Sequence, residues 1–562
     1  MTCRINTKSI LSLSFIFCLA LACNNKSSAP SKETISQVQL KTGPVINCGP
    51  PDKQFGSTSF ANSCQPALQK DFNMAIALLH SFEYDEAEKV FAGIIDKDPA
   101  CAMAFWGVAM CSFHALWTPP SDAELAKGAR AIDIAAGIQP VSARETAYIN
   151  ALSAFYKDWQ KADHRTRCLN YEKAMEQVHN SYPDDKEAAV FYALALDAAA
   201  DPADKTFANQ KKAGAILNAL YPAEPNHPGI IHYIIHTYDY PGLATAALPA
   251  ARKYAQVAPS SSHALHMPSH IFTRLGLWDE CIQSNLAAVS SAQCYAKQAG
   301  LKAHWDEELH GIDYLVYAYL QKGNNELASH QRSYLLGMEK VKPVNFKVAY
   351  CFAAVPSRIL LENHDWQGAA ALVVNRPDLN WAKFPWQAAI IHFTRLLGAV
   401  HTGQHAVAEA AMSTLQQLHD TLLAQKDAYK ANQVAIQIAS GKAWISFMEG
   451  KKEAAIAGML AAAGMEDATE KHPVTPGEVL PARELLADMY FAYKDYSNAR
   501  SNYEAVLKKT PNRFNSLYGA GKSAEKLGDT KTAATFYQQL LKVAPNSDRP
   551  ELAGVKQLVA RK

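Results

Sequence analysis

Histidines recur in this sequence at a spacing that suits metal coordination. His232 and His236 are four residues apart, and His266 and His270 repeat that spacing 34 residues later. Residues at positions i and i+4 share one face of an α-helix, so each pair presents two imidazoles together. Neutral imidazole nitrogens are frequent ligands of zinc and copper in proteins. The four histidines are therefore candidate ligands for a zinc or copper ion.

Four further polar residues belong to the candidate site. His263 and Asp239 each lie one helical turn from a paired histidine, and His310 and Asp313 begin a later first helix that faces the same way. Three interpretations of the whole set stay open. It can be a metal site, a protonatable groove that binds an acidic peptide, a carboxylate or a phosphate, or a structural cluster of hydrogen-bonded rings.

Sequence signatures of common enzymes give no support for catalysis. Neither histidine pair contains the Glu that the H-E-x-x-H motif of zinc proteases requires. Glu307 and His310 match half of a di-iron carboxylate signature, and a second copy is missing from the sequence. The P-loop, G-x-S-x-G and G-x-G-x-x-G motifs do not occur in a usable context. We name no catalytic residue, and the sequence favours binding over an enzymatic activity.

The elements that position these histidines are helices arranged in a repeat. A small residue, an aromatic residue and a proline recur with one spacing, as Ala87, Phe91 and Pro99, as Ala499, Tyr503 and Pro511, and as Ala533, Tyr537 and Pro545. This pattern resembles the tetratricopeptide repeat, in which two helices pack antiparallel with small residues where they cross. The resemblance implies an all-α fold, a tetratricopeptide-type α-solenoid of helix-turn-helix repeats with insertions. A capping helix near residues 549–562 is expected to close the stack.

The repeat register places both histidine pairs on the first helices of successive repeats, because Pro259 closes the repeat between them. By the same resemblance, first helices line the concave groove and contact ligands. Adjacent packed helices are about 8–10 Å apart. We therefore expect the four imidazoles to face the groove and to converge on one point.

The chain also resembles a large bacterial family of tetratricopeptide lipoproteins. Four segments carry that resemblance: AMAFWG over 102–107, HPGIIHYIIH over 227–236, HALHMPSHI over 263–271 and PVTPGEVLPARE over 473–484. The resemblance covers the mature chain. It implies the fold and does not indicate an activity.

The first residues predict export and a lipid anchor. Arg4 and Lys8 precede an apolar run over 10–22 that is too short to span a membrane. The run ends at Ala22-Cys23, which resembles a lipobox with Cys23 as the acylated residue, while ordinary signal cleavage stays open. We predict a lipoprotein-type signal peptide over 1–22. The mature protein would then face the periplasm or the surface of a bacterial cell and contact the membrane through its lipid anchor only.

Export also changes the interpretation of the cysteines. Cys48 and Cys64 flank a loop rich in Gly, Pro and Ser ahead of the first helix, and we predict that they form a disulfide in an oxidising compartment. The resulting domain organisation is a flexible tether and N-terminal loop over 23–64, a solenoid with the histidine-rich groove over 65–345, and further repeats with the cap over 346–562.

The charge balance argues against a nucleic-acid partner. The chain has 55 basic and 53 acidic residues, a formal net charge of +2, whereas nucleic-acid binding requires a basic patch or stripe. The sequence therefore predicts an exported, lipid-anchored scaffold that binds a protein, a peptide or another ligand in its concave groove. The alternative is a metal-binding or metal-dependent protein that uses the paired histidines.

Overall fold

The computed structural model describes residues 1–2, 29–50, 54–114, 116, 119–139, 141–376 and 378–560. Cys23 and nearly all of the predicted signal peptide lie outside the described residues. Within the described part, no helix combines the length and apolarity needed to cross a bilayer.

Helices that pack in consecutive pairs make up the first part of the chain. After a short helix α1 (Lys32–Ser36) and a 3-10 turn (Pro66–Leu68), they are α2 (Gln69–His80), α3 (Tyr84–Lys97), α4 (Ala102–Cys111), α5 (Asp122–Gly137), α6 (Ala143–Tyr156), α7 (His164–Ser181), α8 (Lys186–Ala198), α9 (Ala208–Leu220), α10 (Pro228–Thr237), α11 (Ala244–Val257), α12 (Ser262–His266), α13 (Pro268–Leu275), α14 (Trp278–Gln298), α15 (Asp306–Gln321) and α16 (Asn325–Leu336).

The pairing continues to the end of the described chain. These helices are α17 (Phe346–Glu362), α18 (Trp366–Ala370), α19 (Pro385–His401), α20 (His405–Ala424), α21 (Ala428–Met448), α22 (Lys452–Asp467), α23 (Ala482–Ala492), α24 (Tyr496–Lys509), α25 (Phe514–Lys526), α26 (Thr530–Val543) and α27 (Glu551–Ala560), with a 3-10 turn at Trp381–Lys383. Two short strands, β1 (His304–Trp305) and β2 (Val341–Lys342), pair in parallel beside α15.

One turn geometry joins the two helices of many hairpins. A residue with positive φ lies two positions before the second helix, and it is glycine in five hairpins: Gly276, Gly323, Gly403, Gly450 and Gly528. Glycine adopts this left-handed conformation without the steric cost of a Cβ. Phe82, His364 and Lys494 hold the same position in three other hairpins. The recurrence of this turn confirms the predicted helix-turn-helix repeat.

The packing positions of the repeat are buried as predicted. Ala87, Ala499 and Ala533 lie in the core. The ring of Phe91 lies directly on Gly107, where an added Cβ would overlap it, and glycines in the last repeats receive tyrosine rings in the same way. Small residues therefore allow the helices to approach closely. The chain is an all-α solenoid of tetratricopeptide-type hairpins with α27 packed on its end.

The solenoid closes on itself, because first helices from the middle of the chain meet those near the C-terminus. The backbone N–H of Phe514 donates to Gln321 Oε1 at 3.0 Å. The guanidinium of Arg513 is fully buried and pairs with Glu362 at 2.6 Å and with Glu484 at 2.7 Å. The C-terminal repeats therefore lie against the ends of α15 and α17, and the loop between α22 and α23 reaches the histidine-bearing repeats through Lys471, which pairs with Asp239.

The N-terminal segment runs across the repeats and is tied to them by two disulfides. Cys48 pairs with Cys294 on α14, and Cys64 pairs with Cys101 just before α4. The predicted disulfide between Cys48 and Cys64 is wrong. That prediction assumed that the two cysteines close a separate loop, whereas each end of this segment lies against a different part of the solenoid.

Candidate metal centre

Six histidines in the interior of the solenoid form two groups of three. In each group the ligand atoms lie within 4.8 Å of one another. Triad 1 consists of His232 and His236 from α10 and His263 from α12. Triad 2 consists of His266 from α12, His270 from α13 and His310 from α15.

The structure corrects two expectations about these residues. The four paired histidines do not converge on one point, because each pair belongs to its own triad and is completed by His263 or His310. The two triads are neighbours, with the ring centroids of His236 and His270 6.2 Å apart. The residues also do not line an exposed groove. His232 is 0% exposed and His266 is 2% exposed, because Phe82 packs on the ring of His232 and Tyr314 packs on the ring of His266.

In triad 1, hydrogen bonding fixes the tautomer of the central ring. His232 Nδ1 lies 2.6 Å from the backbone oxygen of His80, so it carries the proton and donates. The neutral ring then has its lone pair on Nε2. His236 Nε2 lies 2.9 Å from that atom and His263 Nε2 lies 3.1 Å from it. The Nε2 atoms of His236 and His263 therefore both lie beside the lone pair of His232.

Triad 2 places two lone pairs face to face. His266 Nδ1 donates to Asn285 Oδ1 at 2.6 Å, and the Asn285 amide is oriented because its Nδ2 donates to the Cys281 carbonyl at 2.8 Å. His270 Nδ1 lies 3.1 Å from the Asp239 carboxylate and donates to it. Both neutral rings therefore have unprotonated Nε2 atoms, and these two atoms are 3.1 Å apart. A cation between the rings would satisfy both lone pairs, of which that of His270 otherwise accepts from the Tyr314 hydroxyl at 3.4 Å.

Burial keeps the rings neutral. It lowers the pKa of His232 to about 3 and holds the pKa of His266 and His310 well below the usual range. Burial opposes ionisation of Asp239 as well. Lys471 and Arg274 nevertheless hold the pKa of that carboxyl well below its usual range, through contacts of 3.0 Å and 2.8 Å. The carboxylate is thus an ionised acceptor for His270.

A break in the helix lies between two histidines of triad 2, His266 and His270. α12 ends at His266 and α13 begins at Pro268, because a proline supplies no N–H to the preceding turn. Two carbonyls in this break, those of Leu265 and His266, accept from the hydroxyl of Ser284. α12 itself contributes to both centres, with His263 in triad 1 and His266 in triad 2.

A third group with metal-ligand residues has a different character. Glu187 accepts from His80 Nε2 at 2.9 Å and from His227 Nε2 at 3.0 Å. The other nitrogen of His80 contacts the Tyr233 hydroxyl, and the other nitrogen of His227 accepts from the backbone of Ile230. Every ring nitrogen already has a partner of suitable polarity. This group is a hydrogen-bonded structural cluster.

Asp313, which we placed with the site residues, lies outside both triads and pairs with the buried guanidinium of Arg358. Sequence reasoning missed five residues that contact the histidines or their orienting groups: Phe82, Arg274, Asn285, Tyr314 and Lys471. The sequence spacing could have identified two of them. Arg274 and Tyr314 follow His270 and His310 by four residues and so share their helix faces.

Comparison with known proteins supports the fold. Residues 515–547 match the tetratricopeptide repeat family. The chain contains a tetratricopeptide repeat. Curated proteins give no significant match. Solenoids of this kind present extended binding surfaces, which suggests a role in protein interaction.

Solved structures resemble the chain only distantly. Human IFIT1 dimer with m7Gppp-AAAA is 12% identical over 79% of this chain and 90% of that chain, with a TM-score of 0.34. The Cut9-Hcn1 hetero-tetramer of the APC/C is 11% identical over 87% and 95%, with a TM-score of 0.26. Naa15/Naa10 bound to HypK-THB is 11% identical over 88% and 92%, with a TM-score of 0.24. At these values the likeness gives no information about ligands.

Proposed function

We propose that this protein is an exported, lipid-anchored helical scaffold that binds two transition-metal ions, one at each histidine triad. The observation that carries the proposal is the pair of unprotonated Nε2 atoms of His266 and His270, 3.1 Å apart. Both tautomers are fixed by partners on the opposite nitrogen. Metal-bound histidines characteristically donate their second N–H to a carboxylate, an amide or a backbone carbonyl in this way.

The shortest distances between ring nitrogens in each triad suit ligands of a shared ion. A tetrahedral ion with metal–nitrogen bonds of about 2.0–2.1 Å holds its ligand nitrogens roughly 3.3 Å apart. The closest Nε2 atoms are 2.9–3.1 Å apart in triad 1 and 3.1 Å apart in triad 2. Three imidazoles without a thiolate suit zinc or copper, and they leave a coordination position open for a further ligand.

The cellular location is part of the proposal. Two disulfides, Cys48–Cys294 and Cys64–Cys101, suit a protein that folds in an oxidising compartment. The sequence around Cys23 suits acylation at the start of the mature chain. Together these features support an exported protein held at a membrane by lipid.

Metal analysis of the natively purified mature protein tests the metal proposal. We expect two zinc or copper ions per chain by inductively coupled plasma mass spectrometry, and one per chain in His266→Ala. His227→Ala is the matched control, because it removes a buried histidine whose nitrogens already have protein partners, and it should retain both ions. A folded wild-type protein that takes up neither zinc nor copper, before or after reconstitution, would refute the proposal and leave the triads as structural clusters.

A protein partner is a second proposal, and it concerns the outer surface rather than the triads. Helix α16 exposes three large apolar side chains, Leu327, Tyr334 and Leu336. Leu327 and Tyr334 are seven residues apart and lie on one face of the helix, which suits contact with another protein while the histidines stay buried. The variant Leu327→Glu should lose a partner that co-purifies from native membranes. Unchanged co-purification would contradict a partner site on α16.

A further inference from the structure

A buried tyrosine lies beside triad 2. Tyr314 lies one helical turn after His310 on α15, and its side chain is fully buried. Its ring centroid is 4.7 Å from that of His266, 5.2 Å from that of His270 and 5.6 Å from that of His310. Its hydroxyl oxygen lies 3.4 Å from His270 Nε2.

We propose that Tyr314 is the fourth ligand of triad 2, so that this centre binds its ion through three nitrogens and one phenolate oxygen. The proposal rests on the proposed function, because it assigns a ligand to an ion that the triad must first bind. It also makes the two centres chemically different.

The 3.4 Å distance involves the nitrogen that faces the ion. Asp239 holds His270 Nδ1, so Nε2 is the atom directed at the centre of the triad. Two ligand atoms of one tetrahedral ion, each about 2.0–2.2 Å from the metal, are roughly 3.3 Å apart. The hydroxyl oxygen of Tyr314 lies 3.4 Å from His270 Nε2, and His266 Nε2 lies 3.1 Å from the same atom. Both separations suit two ligand atoms of one ion.

Triad 1 offers no equivalent oxygen from the aromatic ring that covers it. The centroid of Phe82 lies 4.4 Å from that of His232 and 5.7 Å from those of His236 and His263. Phe82 has a φ of +59°, at the turn position where five other hairpins have glycine. A bulky residue keeps this conformation only where the surrounding structure enforces it. The turn thus places a hydrocarbon ring against triad 1, while triad 2 receives a hydroxyl.

Binding of the ion by Tyr314 requires no oxidant or reductant. The O–H bond of Tyr314 breaks, an electron pair of the oxygen forms the bond to the divalent ion, and the proton passes to bulk solvent. The ion keeps its oxidation state. One proton is therefore released for the tyrosine when the ion binds to triad 2.

Copper(II) loading with visible absorption spectroscopy tests the inference. A phenolate bound to copper(II) gives a charge-transfer band that imidazoles do not give. We expect this band in the wild-type protein with two copper ions per chain, and its loss in Tyr314→Phe. We also expect copper affinity at triad 2 to fall at least tenfold in that variant. His232→Ala, which disrupts triad 1, should keep the band.

Tyr254→Phe is the matched control. Tyr254 is also buried, and its ring lies 5.2 Å from that of His232, but its hydroxyl contacts Ser81 at 3.2 Å. This variant should keep the band. Two copper ions per chain without the band, or a band that persists in Tyr314→Phe, would overturn the tyrosine assignment alone. A wild-type protein that binds no copper or zinc would overturn the proposed function together with it.

Discussion

Asp239 Oδ2 lies 3.1 Å from His270 Nδ1, and this contact determines which nitrogen of the ring faces triad 2. The carboxylate also pairs with Arg274 and Lys471, so its own position is fixed from two further directions. An orienting carboxylate of this kind raises the basicity of the metal-facing nitrogen. The geometry of triad 2 therefore depends on a residue that does not belong to it.

We expect Asp239→Asn to weaken metal binding at triad 2 by about 10–100-fold. The neutral amide orients the ring less strictly and polarises it less. Competition with a chelator of known affinity would measure the change. Triad 1 serves as the internal control for folding, since its occupancy should not change. Equal affinity of the variant and the wild type at both triads would contradict the orienting role.

The disulfide between Cys48 and Cys294 should stabilise the protein measurably. It joins residues 246 positions apart, so it restricts the unfolded chain strongly. Cys294→Ser is expected to lower the free energy of unfolding by about 2–5 kcal/mol, measured by chemical denaturation. Peptide mapping without reduction should link Cys48 to Cys294 and Cys64 to Cys101. A peptide that links Cys48 to Cys64 would contradict the structure.

Glu83 should make stability fall as pH rises. Burial raises the pKa of its carboxyl to about 8, although Ser261 donates a hydrogen bond to it. An unfolded glutamate has a pKa of about 4.3. Between these values the folded protein keeps a proton that the unfolded chain releases, so stability decreases through this window and stays lower above it.

The variant Glu83→Gln is neutral at every pH. Its Tm should therefore equal that of the wild type near pH 4 and exceed it increasingly up to pH 8. Glu453→Gln, a change at an exposed carboxylate, is the control and should give no such trend. A difference in Tm that does not change between pH 4 and pH 8 would show that Glu83 is ionised in the folded protein.

Ala533 tests the packing of the last repeat. It is buried at the start of α26, and we expect Ala533→Leu to overpack the crossing with α25 and to cost about 1–3 kcal/mol. Thermal unfolding would show the loss as a lower Tm. Ala410→Leu, at an exposed position of α20, should leave the Tm unchanged. Equal Tm values for Ala533→Leu and the wild type would contradict the assigned register.

Cys23→Ala tests the lipid anchor. The variant should appear in the soluble exported fraction or retain its signal peptide, because acyl chains on Cys23 supply the membrane affinity. Fractionation of cells followed by immunoblotting measures this. If the variant stays in the membrane fraction with normal processing, Cys23 is not the anchor.

Local patterns predicted the repeat well, because each hairpin is built from contacts close in sequence. The spacing of Ala499 and Tyr503 gave the helix crossing, and glycines such as Gly276 marked the turns. The placement of both histidine pairs on first helices followed from the same register. These features depend on helix periodicity and turn geometry, which a single segment encodes.

The composition of the site was not predictable in the same way. Lys471 reaches Asp239 from 232 residues away, and Cys294 reaches Cys48 from 246 residues away. Both contacts depend on how far the solenoid curls, which is the sum of small rotations between repeats. That sum decided whether the histidines faced solvent or lay in the interior.

The contact between Lys471 and Asp239 also implies an order in which the parts of an exported chain come together. In a protein that is exported from its N-terminus, all six histidines cross the membrane before Lys471 does. Only when Lys471 arrives can its contact with Asp239 form beside triad 2. If the triads bind ions as we propose, an ion that is present while the chain folds meets a less enclosed site than one that arrives later. Loading and chelator experiments on the purified protein therefore need either time for the buried site to open or a refolding step with the metal present.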